Sequence, residues 1–216
     1  MIDSTCFEKS QVDIADEVCV RYRSQLEANN ILNAHFTSLQ KTDPGLYSHL
    51  NVVSFFSVLI ANELGWTSNR IRESLVIGSY LHDIGKLHLN PDIMNLSKSD
   101  MSSEQLIEYK KHPGIGVQIL RGSGEINEPI IQIVYQHHEQ NDLLGFPNRL
   151  NGAKIYPLAK IVAVSNAFSH HLKLTSQPPV KAIHSFFDDP SIVFKYDAEV
   201  LRPLLKCFIG KKDKTS

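Results

Sequence analysis

The chain has 216 residues, of which 42% are apolar and 21% charged, and its formal net charge at pH 7 is −1. This composition fits one soluble domain with a short extension, or two small domains. It excludes a global basic field for a nucleic-acid polymer, and no apolar run approaches the roughly 20 residues of a membrane span. Three separated cysteines (Cys6, Cys19 and Cys207) predict reduced thiols and a cytoplasmic location.

Apolar spacings of three and four residues recur along the chain, which predicts helices rather than strands. The first helix is expected at about 8–29, and a second follows the breaker at 43–45 and runs to Leu64. A cap on Thr67 or Ser68 predicts a third helix towards residue 83. Ser102 with Gln105 forms a capping box for a fourth, which Pro113 and Gly114 are expected to interrupt.

The second half begins with a helix that starts at Pro129 and ends near residue 139. The segment 141–152 is rich in Gly, Pro and Asn, which predicts a loop. Pro157 then opens a nearly all-apolar helix to about Leu172, a pattern that implies burial on every side. One or two further helices are expected after 177–179.

The positions of three histidines are the most informative feature. His49, His82 and His138 each share a predicted helical face with apolar residues and should point inward. A single buried histidine is more often a core residue with an ordinary hydrogen-bond partner. The pair His82-Asp83 and the adjacent His137 weaken that interpretation, because several buried polar rings need partners. Metal ligation would satisfy all of them, and these ligands suit iron, manganese or zinc.

Five motifs in order resemble the HD-GYP branch of the HD phosphohydrolase superfamily over residues 45–210. They are His49, His82-Asp83-Ile84-Gly85-Lys86, His112-Pro113-Gly114-Ile115-Gly116, His137-His138-Glu139 and Gly145-Phe146-Pro147, the last preceded by Asp142. The resemblance implies an all-α helical bundle of about five to seven core helices around a site for two or three metals. With it we expect an N-terminal helical extension (1–40), the metal-binding domain (41–210) and a polar tail (211–216).

The family's activity is hydrolysis of the bacterial messenger cyclic di-GMP, and its site residues can be carried over by position. The resemblance implies two divalent ions, iron or manganese, bound by His49, His82, Asp83, His112, His137, His138 and Asn166. Asp83 would bridge the ions and, with Lys86, carry catalysis. The expected substrate contacts are Lys86, Asp142, Gly145, Phe146, Pro147 and Lys181.

Two departures from the family pattern leave alternatives open. Asn166 stands where the family has a last aspartate ligand, and 177–180 (Gln-Pro-Pro-Val) replaces a basic segment that grips phosphate, leaving Lys181 as the only nearby cation. His170 is interpreted as part of a surface pair with His171. The first hypothesis is a phosphodiesterase acting on a cyclic dinucleotide or a related phosphoester. A binding module that docks a signalling protein, such as a diguanylate cyclase, is the second, and a phosphohydrolase of ordinary nucleotides is the third.

Overall fold

Helices joined by turns and loops make up the fold in a computed structural model, which describes residues 9–28, 33–34, 37–38, 41, 44–94, 96–124 and 126–208. The α-helices among them are α1 (Lys9–Ala28), α2 (Pro44–Glu63), α3 (Asn69–Leu81), α4 (Pro91–Met94), α5 (Ser103–Tyr109), α6 (His112–Gly122), α7 (Glu128–Gln136), α8 (Pro157–Thr175), α9 (Pro179–Phe187), α10 (Pro190–Lys195) and α11 (Ala198–Lys206). Two 3₁₀ turns, Ile84–His88 and Gly152–Lys154, complete the set. Within these residues the only strand-like pairing is an isolated bridge between Asp142 and Asn151, so the predicted all-α class is confirmed.

The core lies where α2, α3, α7 and α8 meet. Its centre is fully buried and includes Phe56 of α2, Leu75 of α3, Ile133 of α7 and Phe168 of α8. Helix α8 is buried on nearly all sides from residue 158 to residue 169, as its apolar sequence predicts. Its polar residues in that stretch therefore face protein rather than water, which places them where a site can use them.

Helix α1 packs against α2 and α3. Its buried residues repeat at spacings of three and four (Val12, Ala15, Cys19, Tyr22 and Leu26) and join the same hydrophobic cluster as the central helices. The predicted tail at 211–216 lies outside the described residues, so the division of the chain into extension, domain and tail stays a prediction. No helix in the described part of the chain combines the length and apolar character needed to cross a membrane.

Two predicted caps are present, whereas α2 begins at Pro44, inside the predicted breaker at 43–45. Ser68 caps α3 by accepting from the backbone N–H of Ile71, and Ser102 forms the predicted capping box with Gln105. The predicted interruption at Pro113 and Gly114 is wrong, because α6 begins at His112 and runs through both. Proline in the first helical turn removes an N–H that has no partner within the helix in any case.

The end of the domain also differs from the expectation. Three helices, α9, α10 and α11, follow α8, instead of one or two. The last two of these helices each begin at their own N-cap. Asp189 and Asp197 each accept a hydrogen bond from the backbone N–H two residues later, which starts a new short helix. Short helices of this kind have too few turns to show periodicity in the sequence.

Candidate metal centre

Three histidines near helix ends are each held by a hydrogen bond from the ring to a backbone carbonyl three residues earlier. The Nδ1–H of His82 donates to the carbonyl of Ser79 (2.7 Å), that of His112 to Tyr109 (2.7 Å), and that of His137 to Val134 (2.8 Å). Each acceptor lies three residues earlier, in the last turn of a helix, where carbonyls lack intrahelical donors. Because a carbonyl only accepts, each Nδ1 carries the proton and each Nε2 is left with a free lone pair.

Those lone pairs converge on the carboxylate of Asp83. His82 Nε2 lies 3.3 Å from Asp83 Oδ2, while His112 Nε2 and His137 Nε2 lie 3.3 and 3.6 Å from Oδ1. Burial by itself raises the pKa of Asp83, but the Lys86 ammonium, 2.6 Å from Oδ2, outweighs it and holds that pKa well below its ordinary value. The carboxylate is therefore ionised and faced by acceptor atoms, an arrangement that a cation between them would stabilise.

Two further histidines complete the cluster. His49 on α2 is fixed by a 2.8 Å hydrogen bond between its Nδ1 and the hydroxyl of Ser169 on α8. His138 follows His137, and its ring lies 4.1 Å from that ring, centroid to centroid. Burial lowers the pKa of both His49 and His138 well below the ordinary value. Both are neutral imidazoles at physiological pH, the form that binds metal.

The ligand atoms fall into two groups that share one residue. Asp83, His112, His137 and His138 form one group and His49, His82 and Asp83 the other, with all atoms of a group within 4.8 Å of one another. Four of these buried atoms have no hydrogen-bond partner: His49 Nε2, His82 Nε2, Asp83 Oδ1 and His138 Nε2. Leaving such atoms unsatisfied costs about 1–3 kcal/mol each. The donor set therefore fits metal cations, which would satisfy all four atoms.

Asn166 lies on α8, one turn before Ser169, so the two residues occupy one face of the helix. It is 4% exposed, and its Oδ1 has no hydrogen-bond partner. A buried amide oxygen in this state is available as a neutral ligand. Ser169 on the same face of α8 forms a hydrogen bond with His49, so Asn166 lies on the side of α8 that faces His49. Its role as the last ligand stays a prediction.

The loop after His138 carries the predicted substrate residues. Its backbone folds over the cluster: Phe146 N–H donates to the carbonyl of His138 (3.1 Å), and the Phe146 ring stacks on the His138 ring at 4.4 Å. Glu139 anchors the loop through the backbone N–H groups of Asn148 and Leu150. Gly145 has no room for a side chain, because a Cβ there would lie 2.7 Å from the backbone of Glu139.

The other predicted substrate residues, Asp142, Pro147 and Lys181, have no hydrogen bond or ion pair with the histidine cluster in the described part of the chain. Pro147 follows a cis peptide bond next to Phe146. Asp142 shapes the loop by accepting from the backbone N–H of Leu144 (3.0 Å). Lys181 is exposed on α9, and no contact recorded among the described residues joins it to the cluster. The substrate roles of all six residues stay predictions: Lys86, Asp142, Gly145, Phe146, Pro147 and Lys181.

Sequence reasoning missed three residues around the cluster. The His170 ring lies 4.5 Å from the His49 ring; its position four residues after Asn166 was the available signal. Lys98 lies 5.8 Å and Lys110 6.0 Å from the Phe146 ring, measured from Nζ to the ring centroid. Lys98 had no sequence signal, because only the fold brings its turn to this loop.

The fold and the site define a histidine- and aspartate-based metal-binding bundle, and comparison with known families agrees. The HD domain family matches residues 33–186, so the chain belongs to the HD domain family, whose members bind divalent metals. The predicted resemblance to the HD-GYP branch is confirmed by its relatives.

Three curated relatives carry cyclic di-GMP in their names, and two of them show how far the match extends. The chain is 32% identical over 135 residues to the cyclic di-GMP phosphodiesterase response regulator RpfG of Xanthomonas campestris, covering 61% of this chain and 34% of that protein. It is 27% identical to cyclic di-GMP phosphodiesterase PA4108 of Pseudomonas aeruginosa, covering 78% and 39%. The chain thus spans little more than a third of the length of these relatives.

Solved structures share the fold. Bd1817 from Bdellovibrio bacteriovorus, described as an HDG"Y"P protein, aligns with a TM-score of 0.63 and 26% identity over 93% of this chain and 70% of that one. The HD domain of the phosphodiesterase PgpH from L. monocytogenes aligns with a TM-score of 0.58 and 17% identity, covering 81% and 95%. The second likeness concerns the fold alone.

Proposed function

We propose that this protein is a metal-dependent phosphodiesterase that hydrolyses a cyclic dinucleotide, cyclic di-GMP in the first instance. The observation that carries the proposal is the pair of buried ligand groups that share Asp83. Two cations bridged by one carboxylate are the usual arrangement for in-line displacement at phosphorus. Relatives named for cyclic di-GMP hydrolysis support the choice of substrate, which also fits the predicted cytoplasmic location.

In this proposal His49, His82, Asp83 and Asn166 would hold one ion, and Asp83, His112, His137 and His138 would hold the other. Imidazole and carboxylate ligands suit iron or manganese. When bound, such a pair of divalent ions polarises a phosphate and lowers the pKa of a water molecule. The tautomers fixed by Ser79, Tyr109 and Val134 keep the Nε2 atoms pointed inward without reorganisation.

Lys86 has two tasks in this site. Its ammonium group pairs with Asp83 at 2.6 Å and lies 5.4 Å from the centre of the Tyr109 ring. It therefore fixes the carboxylate and remains close enough to the cluster to meet a phosphate oxygen. The protein's part in the reaction is positioning and charge: Lys86 faces the phosphate, and Phe146 covers the His138 side of the cluster.

A second function is favoured by one observation. Asn166 places a neutral amide where the family resemblance expects a carboxylate, so one ion should be held less tightly. A domain that keeps its fold and part of its metal but hydrolyses slowly could act as a binding module for a signalling protein, such as a diguanylate cyclase. The experiment must therefore separate metal content from turnover.

The substitution Asn166→Asp tests metal content and turnover separately. We expect it to raise metal content, measured by plasma mass spectrometry after purification without chelators, and to raise cyclic di-GMP hydrolysis from a slow wild-type rate. Asn69→Asp is the matched control, because it makes the same change at the exposed first residue of α3 and should alter neither. Raised metal content without faster hydrolysis would favour the binding module. No change in either quantity would mean that Asn166 is not a ligand.

A further inference from the structure

Three lysines from separate segments surround two aromatic rings beside the cluster. Lys86 comes from the first 3₁₀ turn, Lys98 from the turn between α4 and α5, and Lys110 from the residue after α5. Lys98 Nζ lies 5.2 Å from the Tyr109 ring centre and 5.8 Å from that of Phe146. The two rings meet edge to face, 6.2 Å apart. These three lysines and the rings of Tyr109 and Phe146 thus form one wall beside the cluster, in which cations lie next to aromatic rings.

Two of the three lysines on this wall, Lys98 and Lys110, have no ion-pair partner among the described residues. Asp83 pairs with Lys86, whereas in the described part of the chain no carboxylate lies within ion-pair distance of Lys98 or Lys110. Lys98 is exposed, yet protein atoms crowd its ammonium group. This desolvation, with smaller contributions from the charges of Lys86, Lys110 and Lys195, outweighs the opposing charge of Asp83 and lowers the pKa of Lys98 to about 8. Positive groups that repel one another at the edge of a site are stabilised when an anion binds between them.

We propose that Lys98 and Lys110 form a second anion subsite, which takes the phosphate of a cyclic dinucleotide that is not being cleaved, with the partly buried Phe146 ring lining the place of a base. This rests on the proposed function. A cyclic dinucleotide has two phosphates, and the metal cluster with Lys86 can serve only one at a time. The segment 177–180 offers no cation for the other, whereas Lys98 and Lys110 offer two.

The Phe146 ring suits the nucleobases of a cyclic dinucleotide. Phe146 uses one face against His138, at an interplanar angle of 28°. Its centre is 5.8 Å from Lys98 Nζ and 6.0 Å from Lys110 Nζ. Nucleobases stack on aromatic side chains next to cations that hold the backbone phosphates. The combination of the Phe146 ring with two ammonium groups that lack an ion pair among the described residues favours a nucleotide over a simple phosphoester.

The test compares two substrates in Lys98→Ala, Lys110→Ala and the double variant. Cyclic di-GMP has two phosphates and two bases, and bis(p-nitrophenyl) phosphate has one phosphate and neither base. We expect KM for cyclic di-GMP to rise at least about tenfold in the double variant. The kcat/KM for bis(p-nitrophenyl) phosphate and the metal content should stay within about twofold. Lys111→Ala, at the exposed neighbouring residue, is the matched control, and Lys98→Arg should retain most of the affinity.

Three results would overturn the subsite. They are an unchanged KM for cyclic di-GMP, an equal loss for both substrates together with lost metal, and an equal effect of Lys111→Ala. If the wild type hydrolyses neither substrate, the proposed function fails separately. Calorimetric binding of cyclic di-GMP then decides the subsite: weaker binding in the double variant upholds it, and equal binding or no binding to the wild type refutes it.

Discussion

Gly85 lies at the point where the first 3₁₀ turn meets α6, between Asp83 and Lys86 in sequence. A Cβ added there would collide with the carbonyl oxygen of His112 and lie 2.7 Å from the amide nitrogen of Gly116. Both obstacles are backbone atoms, which cannot rotate away as a side chain can. Gly85→Ala must therefore push apart the two segments that supply Asp83 and His112.

The size of the effect follows from this geometry. The 2.7 Å separation must open to at least the 3.4 Å at which ordinary contact begins. Overpacking of this kind costs roughly 1–3 kcal/mol and sometimes more, and with backbone on both sides we expect about 3 kcal/mol. For a chain of this size that lowers Tm by roughly 6–12 °C. Metal content should fall too, since the Asp83 to His112 distance increases.

The assay is denaturant unfolding of chelator-treated protein, with metal analysis of untreated protein. Gly114→Ala is the control, because it lies in the first turn of α6 and a Cβ there meets nothing within 4 Å. It should be neutral or stabilising by up to about 1 kcal/mol. If Gly85→Ala unfolds like the wild type and keeps its metal, the close approach of the two segments is not as described.

Two further predictions test the ligand set and the core. Asp83→Ala should lose most of its bound metal and destabilise the protein by about 3–5 kcal/mol, because it leaves Lys86 and the histidines without their shared partner; unchanged metal content by plasma mass spectrometry would contradict the assignment. Burial raises the pKa of Cys19 to about 11 and that of Cys207 to about 12, so in a Cys6→Ser variant no thiol should react with Ellman's reagent at pH 8 until the protein is unfolded. Rapid labelling of the folded variant would show that Cys19 in α1 or Cys207 after α11 is less well buried than the structure indicates.

Much of the local structure could be predicted from the sequence, because short-range chemistry controls it. The caps at Ser68 and Ser102 depend on side chains that reach their own backbone three residues away. The burial of α8 follows from its composition. The error at Pro113 has the same local origin: whether proline interrupts or starts a helix depends on where the previous turn ends, and that lies at residues 110–111.

The cluster itself could be predicted only in part. Inward-facing stripes and ordered motifs indicated which histidines belong together, but hydrogen-bond partners such as Ser169 for His49 come from another helix. His170 was interpreted as a surface residue, and it is exposed, yet its ring lies against His49. Exposure and proximity to a site are independent properties, and the position of His170 four residues after Asn166 was the signal for the second.

The sequence by itself determined the helices, their caps and the residue types able to bind metal, since these depend on contacts within a turn or two of the chain. The tertiary structure alone brought Lys98 and Lys110 close to Phe146, whereas Lys181, the cation that the sequence indicated, is exposed on α9. Lys98 lies 48 residues from Phe146 in the chain and 5.8 Å from its ring in space. No local pattern encodes that distance, because it is set by the packing of α5, α6 and the loop after His138 around a common core.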